Sequence, residues 1–373
     1  WILNFDLGIG NGLRNKLAEA LAIDDRKSAK EYISSAYWMI GLMMMVVVGV
    51  GLPLLPYISW TSVFNVSPSL LTSAELSSAV QWCFISIALQ FFMRLISSVL
   101  YAMQKSAVNN FLMLLTSALQ LLVALLAPSR TPVENLRMFA RAYVVCANLP
   151  LLIASVVVFS GTMRDCIPSV RAFNQRKAKA VLSLGGIFFV CQVLYMLIAN
   201  TNEILITQYT DPANVVEYQI YNKLFTLAGT LFMLALTPVW SAVTKAIAEK
   251  EYCWVKKLIK ILLRLSLLAT FVEFLIVPFL QPIVNIWLGD KAISVNYIYA
   301  LCFALFGSAM VFQSAISTIA NGTGRVRTQA ICYGVGIVVK LLIIHFGVAI
   351  SGSWIVIILA NALLSLIHIS EPT

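Results

Sequence analysis

The sequence predicts an all-α, polytopic membrane protein whose spans fall into two halves of like orientation. Three observations predict it: an apolar composition, apolar runs of about 20 residues, and basic residues confined to alternate loops. Of the 373 residues 60% are hydrophobic and 11% charged, with mean hydropathy +0.88, whereas a soluble domain carries roughly 25% charged residues. Lipid offers no partner to an open backbone N–H or C=O, so the spanning elements are helices or a closed barrel. Barrel strands are about 10 residues long and alternate with period two. The runs here do neither, which selects helices.

Charge or Pro/Gly bounds each apolar run. Trp1–Leu21 opens the chain without a Met and inside an apolar stretch, so it reads as truncated; it ends at Asp24-Asp25-Arg26. Ser34–Leu55 stops at Pro56, Ser78–Met103 at Gln104-Lys105, Val108–Ala127 at Pro128, and Met138–Ser160 at Gly161. After a basic stretch come Ala180–Tyr209, Val215–Val239, Leu258–Leu280, Val295–Ala320, Thr328–Ile350 and a last, truncated run, Trp354–Ile367. This divides the chain into an N-terminal helical lobe (1–160), a basic cytoplasmic linker (161–179) and a C-terminal helical lobe (180–367). The polar tail 368–373 reads as non-native sequence.

Short loops rich in Lys and Arg stay on the cytoplasmic side. The loops after the odd-numbered segments hold Arg26, Lys27 and Lys30, then Lys105, then Arg164, Arg171, Arg176, Lys177 and Lys179, then Lys245, Lys250, Lys256 and Lys257, and finally Arg325 and Arg327; Arg130 and Lys291 are the main exceptions opposite. The net charge of +10 is thereby explained by topology, and no nucleic-acid partner is needed. The chain also repeats itself: Lys16-Leu-Ala-Glu-Ala after the first segment has a counterpart in Lys245-Ala-Ile-Ala-Glu after the seventh, and the Tyr101-Ala-Met-Gln-Lys turn has one in Ile319-Ala-Asn-Gly-Thr-Gly. Six segments separate each pair, so the halves share one orientation, an arrangement of parallel repeats that transporters use to enclose a central cavity.

Ionised groups near the bilayer centre are costly and usually face a partner or a cavity. Arg94 lies well inside the third segment, Arg141 about one turn below the outer end of the fifth, Lys223 near the middle of the seventh and Lys340 near the middle of the tenth. Arg264 lies close enough to the inner surface to snorkel. The acids available for internal pairing are Asp6, Glu203, Glu217 and Glu273. Glu203 and Glu217 lie within reach of a long lysine, so a structural salt bridge competes with ligand binding at Lys223. Arg94 and Lys340 have no acid at their depth on their own or the neighbouring segment. Bases from both halves therefore point to an anionic ligand, for which Arg offers a bidentate fork and Lys a point charge.

Glu203 sits in the polar cluster Asn200-Thr-Asn-Glu203. A desolvated acid there can titrate and carry a coupling proton or bind Na⁺; equally, its Asn and Thr neighbours can hold it for helix packing. Asp6 has the same two readings. Gly8 and Gly12 make a small-xxx-small face for close helix contact, without the strand or the spacing of a nucleotide loop. The seven cysteines never approach a CxxC spacing, and His345 and His368 are isolated, so no metal, cofactor or enzyme site is expected.

The stretch Phe5-Asp6-Leu-Gly-Ile-Gly-Asn-Gly-Leu-Arg14-Asn-Lys16-Leu-Ala-Glu, with Pro238-Val-Trp240-Ser-Ala-Val-Thr-Lys245-Ala-Ile-Ala-Glu-Lys250 and Asn321-Gly-Thr-Gly, resembles the O-antigen and polysaccharide flippases of the multidrug/oligosaccharidyl-lipid/polysaccharide exporter superfamily. The resemblance implies two pseudo-symmetric bundles of six transmembrane helices in a bacterial inner membrane, eleven of them visible here. It implies a cargo of undecaprenyl-diphosphate-linked oligosaccharide, such as an O-antigen repeat unit, and a cationic cavity. On that reading Arg94, Arg141, Lys223 and Lys340 bind the lipid-linked anionic oligosaccharide, Glu203 or Asp6 couples transport to a proton or Na⁺, and a polysaccharide polymerase and glycosyltransferases share the pathway. The rivals are a multidrug cation antiporter of the same fold, which needs an acid-rich cavity, and a membrane glycosyltransferase or polymerase, which needs a sizeable extramembrane loop.

Overall fold

The structure, a computed structural model, describes residues 8–64, 71–127 and 131–369. The described residues are helical with no strand, and they divide into two compact units that meet in sequence at Gly186 and Ile187. The first unit holds α1 (Ile9–Ala22), α2 (Arg26–Leu54), a short α3 (Trp60–Phe64), α4 (Ser73–Met93), α5 (Leu95–Ala102), α6 (Ser106–Leu126), α7 (Pro132–Ser160) and the beginning of α8 (Gln175–Asn200). The second holds the rest of α8, then α9 (Asn202–Tyr209), α10 (Asn214–Ala248), α11 (Tyr252–Ile276), α12 (Leu280–Leu288), α13 (Tyr297–Thr323), α14 (Val326–Ser351) and α15 (Ile355–Ile369). Nine helical stretches among the described residues are long and apolar enough to cross a membrane. With α1 and α15 they account for each of the eleven segments expected, and the chain is a multi-pass helical membrane protein.

The helices run past the apolar runs on the basic side. α2 begins at Arg26 rather than Ser34, α8 at Gln175 rather than Ala180, α11 at Tyr252 rather than Leu258, and α10 continues to Ala248 rather than stopping at Val239. Hydropathy marks the thickness of hydrocarbon, whereas backbone hydrogen bonding continues into the headgroup layer, where Lys and Arg side chains are solvated.

The two units repeat one packing plan. α1 packs on α2 and α5, α2 on α4, α4 on α7 and α6 on α7; α10 packs on α11 and α13, α11 on α13, α13 on α15 and α14 on α15. Thus α1, α2, α4–α5, α6 and α7 correspond to α10, α11, α13, α14 and α15. The turns match to the hydrogen bond. After α1 and after α10 the chain closes with a left-handed residue, Asp24 at φ 52° and Lys250 at φ 62°. The next N–H reaches back five residues, Asp25 to the Ala20 carbonyl at 2.9 Å and Glu251 to that of Ala246 at 2.8 Å. Gln104 (φ 60°) and Gly324 (φ 72°) repeat this after α5 and α13, with Lys105 bonding to Leu100 at 2.8 Å and Arg325 to Ala320 at 3.0 Å. A left-handed non-glycine residue costs on the order of 1–2 kcal/mol, so its recurrence at matched turns supports the internal repeat independently of the short sequence matches.

Glycines of the motifs sit at close helix crossings within each unit. A Cβ on Gly12 would strike the Val181 carbonyl, and one on Gly185 would lie 2.9 Å from the Gly8 carbonyl oxygen, so Gly8, Gly12 and Gly185 let α1 and α8 approach backbone to backbone. In the second unit a Cβ on Gly322 would lie 2.7 Å from the Val243 side chain, and Thr244 donates to the Gly322 carbonyl at 2.9 Å, which seats the Asn-Gly-Thr-Gly turn against the Pro238–Lys250 motif.

The basic stretch 161–174 folds onto α2 as two short 3₁₀ turns, Arg164–Cys166 and Val170–Ala172. The Ser169 N–H donates to Ser34 at 3.1 Å, the Asn174 N–H to Ser35 at 3.1 Å, and the Asn174 amide to Glu31 at 3.0 Å. Lys177 donates to Ser28 at 2.9 Å and lies 4.5 Å from the Tyr32 ring centroid. The stretch expected to link the lobes is therefore a fixed part of the first unit.

Candidate functional site

Three spans are interrupted. α11 gives way to α12 through a 3₁₀ turn at Val277–Phe279, where Pro278 removes a donor. The other two interruptions contain no proline: α4 meets α5 at Arg94, and α8 meets α9 at Thr201. Both involve residues singled out by charge or polarity in the sequence.

In the first unit the intramembrane bases are Arg14, Arg94 and Arg141. Arg94 is half-buried and engaged by its neighbours, within electrostatic range of Tyr143. Arg141 is exposed, its guanidinium carbon 5.8 Å from the Trp82 ring centroid. Twelve residues of α4 separate Trp82 from Arg94, about 18 Å by helical rise, so the two arginines sit at different depths. Arg137 pairs with Glu75 at 3.9 Å, next to the capping box that Glu75 forms with Thr72 at the N-terminal end of α4. Arg14, quoted above only as a motif residue, is 4% exposed and lies 4.5 Å from the Tyr101 ring centroid, while Asn109 donates to the Tyr101 hydroxyl at 2.7 Å. It ties α1 to α5 and α6; its signal in the sequence was a base two turns inside an apolar run. A groove of about 880 Å³ between α2, α4 and α7 is lined by Tyr37, Met44, Ala88, Phe92, Leu152 and Phe159 among others, and its apolar walls suit hydrocarbon rather than a charged headgroup.

In the second unit Lys223 is exposed. The acids weighed as its partners are engaged elsewhere: Glu203, also exposed, accepts from the Gln219 amide at 3.0 Å, and Glu217 accepts from Trp354. Glu273 is 1% exposed and takes the Ser308 hydroxyl at 3.0 Å. Lys340 is 2% exposed. Its ammonium donates to the Ile198 carbonyl at 2.6 Å, to Thr201 Oγ1 at 3.2 Å and to Asn202 Oδ1 at 2.8 Å. Asn202 is the hub of this network, for its Oδ1 also accepts from Asn361 at 2.8 Å and its Nδ2 donates to the Tyr218 hydroxyl at 3.2 Å.

The four bases expected at the site thus fall two in each unit. Arg141 and Lys223 are exposed and Arg94 is half-buried and engaged by its neighbours, whereas Lys340 lies inside the second unit's own hydrogen-bond network. Asp6 lies outside the described residues. Among the described residues no group of three or more His, Cys, Asp or Glu could hold a metal ion.

No protein-family model matches the chain. A Yersinia pseudotuberculosis protein named "Putative O-antigen export protein" is 22% identical over 348 residues, 88% of this chain and 74% of that relative. Among solved structures, a MATE transporter in the bent conformation superposes with TM-score 0.77 at 14% identity, covering 99% of this chain and 83% of that one. A MOP superfamily transporter from Pyrococcus furiosus, described as having a binding pocket of reverse polarity that suggests a different function, superposes with TM-score 0.74 at 16% identity over the same shares of 99% and 83%. An outward-facing multidrug resistance MATE transporter of the same superfamily gives TM-score 0.74 at 17% identity, again over 99% and 83%. The chain has the MATE fold, and the resemblance drawn from its three motifs is borne out. The proteins it is similar to are named as exporters and transporters.

Proposed function

We propose that this chain is a transporter that moves an undecaprenyl-diphosphate-linked oligosaccharide, an O-antigen or similar surface-polysaccharide repeat unit, from the cytoplasmic to the outer leaflet of a bacterial inner membrane by alternating access. The observation that carries the reading is the pair Arg141 and Lys223. Each is exposed at span depth, one in each unit, and neither is in an ion pair with a described residue. A base held open in a membrane span is costly unless an anion visits it, and a diphosphate is such an anion. Arg94, half-buried in the first unit, adds positive charge there. The name of the Yersinia relative and the reverse polarity described for the Pyrococcus transporter's pocket support the same direction, since a cavity for cations calls for acids.

Glu203 is the coupling candidate among the described residues, being exposed and held by a neutral amide; a proton or Na⁺ arriving there, or at Asp6, would drive the cycle. Polysaccharide polymerase and glycosyltransferases are the partners such a step requires, one consuming the exported unit and the others building it. The test is complementation of a strain whose surface polysaccharide depends on this protein. Arg94→Ala, Arg141→Ala and Lys223→Ala should each cut surface polysaccharide while the protein stays at wild-type level in the membrane, and Arg141→Lys should retain most of it. Undiminished polysaccharide in all three alanine variants, or resistance to cationic drugs conferred by the wild type, overturns the assignment.

A further inference from the structure

We propose that Lys340 is a positioning residue, a tethered cation that fixes the break between α8 and α9, and not a ligand of the cargo. An ammonium has three N–H donors and no acceptor. At Lys340 they meet the Ile198 carbonyl, Thr201 Oγ1 and Asn202 Oδ1 at 2.6, 3.2 and 2.8 Å, so none remains for a phosphate oxygen. With 2% of the residue exposed, a diphosphate cannot reach it without taking that set apart. The three acceptors are neutral oxygens, one from the backbone, and they span residues 198–202 across the interruption at Thr201. No proline or glycine lies in Ile198-Ala-Asn-Thr-Asn202 to cause a break. A side chain inserted at the carbonyl ladder is a recognised cause of helix interruption, and Lys340 of α14 is inserted here.

The grip extends beyond α14. Through Asn202 the ammonium is coupled to Asn361 on α15 and to Tyr218 on α10, so one charge holds the α8–α9 junction against three other helices. Charge-assisted bonds are roughly twice as strong as neutral ones, and no carboxylate is needed to balance them when several oxygens share the charge. Lys340 thereby sets the direction in which α9, with Glu203 on its outer face, leaves α8. The consequence for transport rests on the export reading above; the consequence for the junction does not.

The experiment uses the full chain reconstituted in liposomes, with binding and flipping of an undecaprenyl-diphosphate-linked oligosaccharide measured separately and amide hydrogen exchange read across residues 195–209. Lys340→Met keeps length and loses the donors. It should leave cargo Kd within about twofold, slow flipping about tenfold or more, and speed exchange at the junction. Lys340→Ala should behave alike and be restored in exchange and in flipping by n-propylammonium, which replaces the atoms removed, and not by tetramethylammonium, which has no donor. Should either variant fail to fold, Asn202→Leu and Asn361→Leu leave the lysine in place and should speed exchange at the junction with cargo Kd unchanged. Weakening of cargo binding about tenfold in Lys340→Met, as expected for Arg141→Ala, overturns the proposal, as does unchanged exchange at the junction. If the wild type neither binds nor flips the oligosaccharide, the export reading falls, and the exchange and propylammonium results still decide the role of Lys340.

Discussion

Replacing Gly185 and Gly186 by alanine, one at a time, separates helix packing from helix propensity at adjacent positions of α8. In water either change gains up to about 1 kcal/mol of propensity. At Gly186 nothing lies within 4 Å of the added Cβ, so the gain stands. At Gly185 the new carbon would lie 2.9 Å from the Gly8 carbonyl oxygen and 3.1 Å from the Ile9 Cα. Both are backbone atoms, one of the residue that caps α1 and one of its first residue, and neither can rotate away, so the start of α1 must shift, at the about 1–3 kcal/mol typical of overpacking. Propensity cancels between the variants, leaving a difference of about 1–3 kcal/mol, or about 5-fold to 150-fold in the folded-to-unfolded ratio. Reversible unfolding in mixed SDS micelles, followed by tryptophan fluorescence, measures it. Equal midpoints, or Gly185→Ala more stable than Gly186→Ala, would refute the contact between α1 and α8.

Two further outcomes follow from the basic side. Asp25 caps α2, and hydrogen bonds from the Ser28 hydroxyl and N–H, the latter at 2.9 Å, hold its pKa below the usual carboxylate value; that stabilisation is whole above the unfolded pKa of about 3.9 and fades as pH falls through the lower folded value. Wild type should therefore lose its melting-temperature advantage over Asp25→Asn on acidification, and an advantage constant with pH would sink the cap. Cys253 is exposed in the first turn of α11, and Cys166 is buried with its thiol 3.7 Å from the Arg26 carbonyl. In single-cysteine variants an impermeant maleimide should label Cys253 in inside-out vesicles alone and Cys166 in neither orientation before denaturation; labelling of Cys253 in intact cells would invert the topology.

The spans were legible because they are set by solvent: hydrocarbon selects about 20 apolar residues whatever their order. The repeat was legible only in fragments, since what the halves share most exactly is turn geometry. Gln104 and Gly324 adopt the same left-handed conformation with unrelated side chains. The site was harder to read for a rotational reason. The cluster Asn200–Glu203 was visible in the sequence, but neighbouring residues on a helix point about 100° apart, so Asn202 is 2% exposed and faces Lys340 while Glu203 is exposed and faces away.

Counting acids near each base left Lys340 without a partner, because the oxygens that hold it belong to a carbonyl, a hydroxyl and an amide, which carry no formal charge. The same inventory overlooked Arg14, held against the Tyr101 ring. A base in a membrane span thus announces a need for electron-rich neighbours, and neutral groups can meet it. What distinguishes a base kept for a visiting anion is donors left over and a path to reach them. Lys340, with three donors committed, is better placed to hold α8–α9 than to hold cargo; exposed Arg141 and Lys223 retain both. Loss of transport on mutating Lys340 would therefore not by itself identify a cargo ligand, and only an accompanying loss of cargo affinity would.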